Sequence, residues 1–394
     1  MPRTTTTPPT TPTPTPTLKA MFFTASLGGG GAEMHLARLL ASFDRGVVTP
    51  ALALARGGGS YLARLPADVA TTSWFAARRS STLSLAAAIP LLARHIAAER
   101  PDVVMSFLEM PNLALLAAAR LVPRRPLVVL GTQIAPIEAY RHGTLGRAIL
   151  AGIRHVYRHA DAIVALSAGV RGELIALDAR LADRTHVIAN AIVDDHARAA
   201  RTRPARRPDG VTDLLVACGR LVPQKNFPLL LRALARVRRR RAAHLWLLGD
   251  GPDRAALEAQ AQALDLGAHV SFLGWKDDPG SFFAAADVFV MSSDFEGFGN
   301  VLVEAMVGGT PVVSTDCPHG PGEIIASGQS GLLVPTGDET ALADAVLAVL
   351  EDGALAARLR AGGARRAEDF AAARIAAEHA RLFASLATKA RRAR

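Results

Sequence analysis

The stretch DFEGFGNVLVEAM, residues 294–306, sets two carboxylates, Glu296 and Glu304, eight positions apart around glycine, asparagine and hydrophobic residues. Two acids so placed suit paired general acid/base work or the recognition of vicinal hydroxyls. Upstream, CGRLVPQKN carries Gly219 and two cations, Arg220 and Lys225, between an apolar run and a helical one. A planar fork and a point charge on one turn suit a diphosphate, although two surface cations on a connecting loop would read the same. A third element is LGGGGAEMHLARLL, where Gly29 and Gly30 sit in a four-glycine turn. Such a turn lets backbone N–H groups approach an anion with a helix dipole behind them. Ala32, Glu33 and Met34 follow instead of a third spaced glycine, so the turn fits one phosphate or sugar better than a dinucleotide, or serves as a plain connection. In LLGDGPDR, Gly249 marks a further tight turn at a strand end.

Positioning these groups is the task of alternating elements. Apolar runs at 18–26, 47–54, 102–108, 126–132, 161–167 and 185–192 read as strands, separated by alanine-rich amphipathic segments that read as helices. A second series follows, with strands in LLVACG, HLWLLG, HVSFLG, DVFVMS, PVVST and GLLVP. The pattern predicts an α/β chain of two Rossmann-like, doubly wound domains facing each other across a cleft. Expected boundaries are a tail at 1–17, a first domain at 18–195, a linker at 196–212, a second domain at 213–363 and a crossing helix with a basic tail at 364–394. Asn226 is the expected cap of one helix. Asn300 is the expected cap of another, closed by Gly308 and Gly309. Glu296 then lies on a loop and Glu304 one turn inside a helix, leaning back toward its start. Phe298, Gly299 and Asn300 offer backbone N–H groups to phosphate or sugar oxygens. Glu304 as an ordinary, partly exposed helix residue is the competing reading.

A length of 394 residues fits two cores rather than one. Half the residues are hydrophobic and a fifth charged, which reads as soluble and globular. Cys218 and Cys317 are too few and too far apart for a disulfide framework or a Cys-rich metal site, and a reducing cytoplasm fits them. The Thr/Pro run at the start has no apolar core, so it reads as a disordered tail rather than a signal peptide. Charges interrupt every long apolar stretch, as Glu109 does, so no membrane-spanning helix is expected. The net charge of +10 peaks at RVRRRR (236–241) and KARRAR (389–394). These runs suit either solvated helix ends or an anionic membrane at the inner face, and without interleaved aromatics they do not fit nucleic acid.

Taken in order and spacing, GRLVPQKN, LGDGP, FLG, EGFGNVLVEAM and GGTPVVSTDCPHGPGEII resemble the retaining GT-B glycosyltransferases of glycosyltransferase family 4. The resemblance covers the second domain, and SLGGGGAE and SFLE extend it weakly into the first. It implies a nucleotide-sugar donor, a UDP-sugar above all, and a glycan or lipid-linked acceptor on the first domain. No metal or other cofactor is implied. Arg220 and Lys225 would hold the diphosphate, Glu304 the ribose and Glu296 the transferred sugar. Arg220, Lys225 and Glu296 would thus carry the catalytic step, and Gly29, Gly30, Gly219, Gly249, Phe298, Gly299, Asn300 and Glu304 would complete the donor site. Two positions depart from the pattern. Gly322 stands where relatives carry arginine, with His319 expected to face solvent, and Gln133 stands where many relatives have histidine.

Overall fold

A computed structural model describes residues 17–76 and 81–392, so the tail expected at 1–17 lies outside them apart from Thr17. The first sheet holds β1 (Leu18–Thr24), β2 (Val48–Arg56), β3 (Ala70–Phe75), β4 (Val103–Phe107), β5 (Leu127–Thr132), β6 (Ala162–Ala165) and β7 (Thr185–Val187). Its order is β3-β2-β1-β4-β5-β6-β7, parallel throughout. The second holds β8 (Asp213–Cys218), β9 (Ala243–Leu248), β10 (Val270–Gly274), β11 (Val288–Met291), β12 (Val312–Thr315) and β13 (Leu332–Val334). Its order is β10-β9-β8-β11-β12-β13, again parallel. Strands covered on both faces must be apolar along their length, and all five residues of VVMSF in β4 are buried.

In both sheets the chain works outward from its first strand and then returns to that strand's other side. The reversals fall between β1 and β4 and between β8 and β11. Crevices beyond the carboxyl ends of such strands are where open parallel sheets bind ligands. The glycine turn follows β1, the Arg220–Lys225 loop follows β8, and the Glu296 loop follows β11. All three elements therefore converge on one cleft.

Strand β3 has no counterpart among the expected elements. It is a half-exposed edge strand, ATTSWF, without the apolar run that marks the inner strands. The helix Ala168–Leu177 was likewise unforeseen. The segment expected as a linker begins with a helix, Asp195–Ala200, capped by the Asp194 side chain. At the C-terminus the single helix expected near 364–388 is two helices, Gly353–Ala367 and Ala372–Arg392. No proline or glycine marks the break. The backbone turns there because Ile192 and Val193 both donate to the Phe370 carbonyl and Ala372 donates to Val193. The last helix then packs on the first domain, with Phe383 against Phe22 and Phe43.

Candidate active site

On the second-domain wall, local bonds fix Lys225 and the first acid. Asn226 adopts left-handed backbone geometry (φ 44°) and caps the helix Phe227–Val237 by accepting from the Leu229 amide at 3.2 Å. Its amide nitrogen donates to Asp294 at 2.7 Å, and Gln224 donates to the Phe295 carbonyl at 2.8 Å. The loops after β8 and β11 are thereby stitched together. Lys225 Nζ lies 2.5 Å from Glu296 Oε1, which also accepts from the Ser293 hydroxyl at 2.6 Å. Glu296 is only 6% exposed, so burial and pairing come together. Arg220 is exposed on the cavity lining and makes no ion pair among the described residues. Gly249 has a positive φ of 126°, and a Cβ there would stand 1.9 Å from the Gly219 oxygen. Only glycine allows the ends of β8 and β9 to approach so closely.

Glu304 belongs to the helix Asn300–Gly308. Its cap is Gly299, in left-handed geometry at φ 96°, rather than the expected Asn300, which is the first helical residue. Because Gly299 makes the turn unaided, the Asn300 side chain is free to reach the first domain. There it accepts from Asn190 at 3.1 Å and donates to the Gly31 carbonyl at 3.4 Å. Gly309 alone closes the helix, and Gly308 lies inside it. The Glu304 side chain is 19% exposed and accepts from Arg38 Nη1 at 3.1 Å. Arg38 also reaches Asp194 through Nε at 3.2 Å. Burial, reinforced by the negative charge of Glu304, pushes the Cys218 thiol and the Tyr61 hydroxyl each up to about 12.

The first-domain wall works mainly through backbone. A Cβ on Gly29 would come 3.0 Å from the Trp275 indole and one on Gly31 would come 3.1 Å from the Asn300 side chain, so the glycine turn presses on the second domain. A Cβ on Gly30 would fall 2.3 Å from Glu33 Oε2. Gln133 lines the cavity, with a buried side-chain oxygen that has no partner among the described residues. The cleft there holds about 660 Å³, and all the residues expected at the donor site line it.

His319 does not face solvent as expected. It pairs with Glu173 of the first domain at 2.8 Å, and that contact holds its pKa above the usual histidine value. Glu323 accepts from the amides of Ala168 and Gly169 at 2.7 and 2.9 Å, capping a first-domain helix from the second domain. The position of Gly322 thus belongs to a domain seam rather than to an isolated loop. Sequence reasoning missed Arg38, Ser293 and Trp275. The one visible signal was for Arg38, a cation four residues beyond Met34 on the apolar stripe of its helix.

The run 236–241 is largely neutralised. Arg236 pairs with Glu339, Arg240 with Glu351 and Arg241 with Asp213, each at 2.8 Å, and Arg238 donates to the Ala243 carbonyl. Among the described residues no group of three or more His, Cys, Asp or Glu is placed to hold a metal ion, and no helix is long and apolar enough to cross a membrane.

Comparison with known proteins bears on the whole cleft. Residues 29–196 match the family described as Glycosyltransferase Family 4, and residues 212–352 match that described as Glycosyl transferases group 1. A lipopolysaccharide core biosynthesis glycosyltransferase, LpsE of Rhizobium meliloti, is 41% identical over 166 residues. That match covers 42% of this chain and about half, 46%, of the relative's length. A Campylobacter jejuni N-acetylgalactosaminyltransferase named for a diphospho-undecaprenol-linked saccharide is 28% identical over 276 residues, covering 70% of this chain and 74% of its own. The crystal structure of Anabaena HepE with UDP and glucose superposes with a TM-score of 0.76 at 22% identity, over 93% of this chain and 100% of that one. With matched domains on both sides of the cleft, the chain belongs to glycosyltransferase family 4 and has its GT-B fold.

Proposed function

We propose that the protein is a retaining, metal-independent glycosyltransferase that moves a hexosyl or N-acetylhexosaminyl group from a UDP-sugar to a hydroxyl of a glycan or lipid-linked saccharide. The observation that carries this reading is one cavity bringing Arg220 and Lys225 together with Glu296 and Glu304. Cations suit the diphosphate and carboxylates suit the hydroxyls of ribose and sugar. The names of the relatives from Rhizobium and Campylobacter, and the UDP bound by the Anabaena protein, support the choice of donor and acceptor class.

In this mechanism the Lys225–Glu296 pair is exchanged on binding. Diphosphate oxygens take Lys225, and Glu296 accepts instead from a sugar hydroxyl. Breaking the bond between the anomeric carbon and the phosphate oxygen leaves charge on the diphosphate, which Arg220 and Lys225 stabilise in a site shielded from water. The acceptor oxygen bonds to the same face of the anomeric carbon and gives its proton to the departing diphosphate, so no dedicated base is needed. Two cations, Arg220 and Lys225, supply the neutralisation that a divalent ion would otherwise provide, and no cofactor takes part.

A thermal-shift and turnover screen against UDP-, GDP- and ADP-sugars tests the reading, with Glu304→Ala alongside. UDP-sugars should stabilise the wild type and not the variant. Stabilisation by none of the three, or equal stabilisation of both proteins, overturns the donor assignment.

We also propose a cytoplasmic protein that touches an anionic inner membrane peripherally. Its basic face would be the first-domain helix Gly143–Val156 and its flanks, since residues 141–160 contain no acid and Arg147, Arg154 and the 65%-exposed Leu145 point outward. Sedimentation with phosphatidylglycerol vesicles at low salt should capture the protein, and no capture would overturn the contact.

A further inference from the structure

Arg38 is a first-domain residue whose guanidinium is shared between an acid of its own domain and one of the second. It lies on the helix that the glycine turn opens, and it is 8% exposed. Nη1 donates to Glu304 Oε1 at 3.1 Å, while Nε donates to Asp194 Oδ2 at 3.2 Å. Asp194 is itself fixed, because its other oxygen caps the helix Asp195–Ala200 through the Ala197 amide at 2.7 Å. The same two helices meet again where Asn300 touches Gly31. Seven and four residues along their respective helices, Arg38 and Glu304 repeat that meeting as an ion pair.

We infer that Arg38 is a positioning residue for the donor: it reaches across the cleft to fix the Glu304 carboxylate against the ribose, so the ribose site is complete only when the two domains meet. The inference rests on the reading that Glu304 binds ribose hydroxyls. A glutamate has three freely turning side-chain bonds, and unheld it loses conformational freedom on binding. A guanidinium that engages one carboxylate oxygen and is braced by a second acid removes that cost in advance and fixes where the remaining lone pairs point. Oε2 of Glu304 makes no hydrogen bond among the described residues, so an acceptor is left for the ligand.

Arg38 should therefore set how well the protein tells ribose from a ribose without hydroxyls. The probes are UDP, GDP and ADP and the 2′,3′-dideoxy form of the one that binds most tightly, measured by calorimetry on the full chain. Wild type should prefer the ribose form by about tenfold or more, as sites built to bind hydroxyls do. Arg38→Ala should bring the preference within about threefold, like Glu304→Ala, and Arg38→Lys should recover part of it. A loss of packing alone would weaken both ligands equally and leave the ratio intact. That result, or tighter binding by Arg38→Ala, overturns the inference and leaves the donor assignment standing. If the wild type shows no preference, the reading of Glu304 fails, and this inference falls with it. Should Arg38→Ala not fold, Arg38→Lys and Asp194→Asn give the same ratio test, and an unchanged preference in both overturns the inference.

Discussion

The two walls of the cleft manage buried charge in different ways. On the second-domain wall, Glu296 is buried with a lysine and a serine from its own domain on one oxygen. In the first domain, Glu109 is fully buried with a long side-chain contact, the Tyr140 hydroxyl at 3.3 Å, and its other oxygen has no partner among the described residues. Glu296 lines the ligand space, whereas Glu109 is not part of its lining. Burial alone pushes Glu109 up to about 7, close to the point where it is half protonated in neutral solution. Charge on the second wall is therefore ready for a ligand, and the first wall contributes shape, backbone and cations that include Arg38.

The largest effect should come from breaking the paired wall. Lys225→Ala removes the cation offered to the diphosphate and leaves Glu296 buried with only Ser293, so turnover of the UDP-sugar should fall about 10³-fold. A loss under tenfold in a UDP-release assay would mean that the two walls do not differ as described. Next comes the unpaired acid. The pKa of Glu109 in the folded protein is raised from 4.5 to about 7, so its contribution to stability is whole below pH 4.5 and is lost as pH rises through 7. Glu109→Gln should therefore match the wild type near pH 4.5 and exceed it by about 3 kcal/mol above pH 7 in urea unfolding. A constant difference across that range would show that Glu109 is solvated. The smallest effect belongs to the seam. The raised pKa of His319 means that its pair with Glu173 stabilises fully below about pH 6.5 and fades as pH rises through the higher folded value. His319→Gln should lower Tm by about 1 °C at pH 6 and by less at pH 8. A penalty that grows with pH would contradict the pairing.

How much of this was legible in the sequence follows the same division. Lys225, Glu296, Gly219 and Gly249 find their partners within one domain and within short loops, so motif and spacing were enough to group them. Strand β3 escaped because an exposed edge strand needs no apolar run. The break at 368–371 escaped because it is made by hydrogen bonds to residues almost 180 positions away, which override a helical composition. Asn300 had the right residue type for a cap, but Gly299 could take the left-handed turn without help and freed the asparagine for the other domain. The roles of Arg38, for all its odd place on an apolar stripe, and of His319 were hidden for one shared reason. Each makes its decisive contact with a partner on the opposite side of the cleft, and no local pattern encodes such a distance.

The pairing of Val193 with Ala371 has a mechanical consequence. A single connection between two bodies is a tether and leaves them free to swing, twist and splay. Here two stretches of chain cross side by side and are bonded to each other, as a door hangs on two pins, an arrangement that favours rotation about one axis over free swinging. Every separation across the cleft, from Gly29 to Trp275 and from Arg38 to Glu304, then becomes a function of one angle. Cutting the chain after Ala371 should turn the hinge back into a tether while leaving both sheets intact.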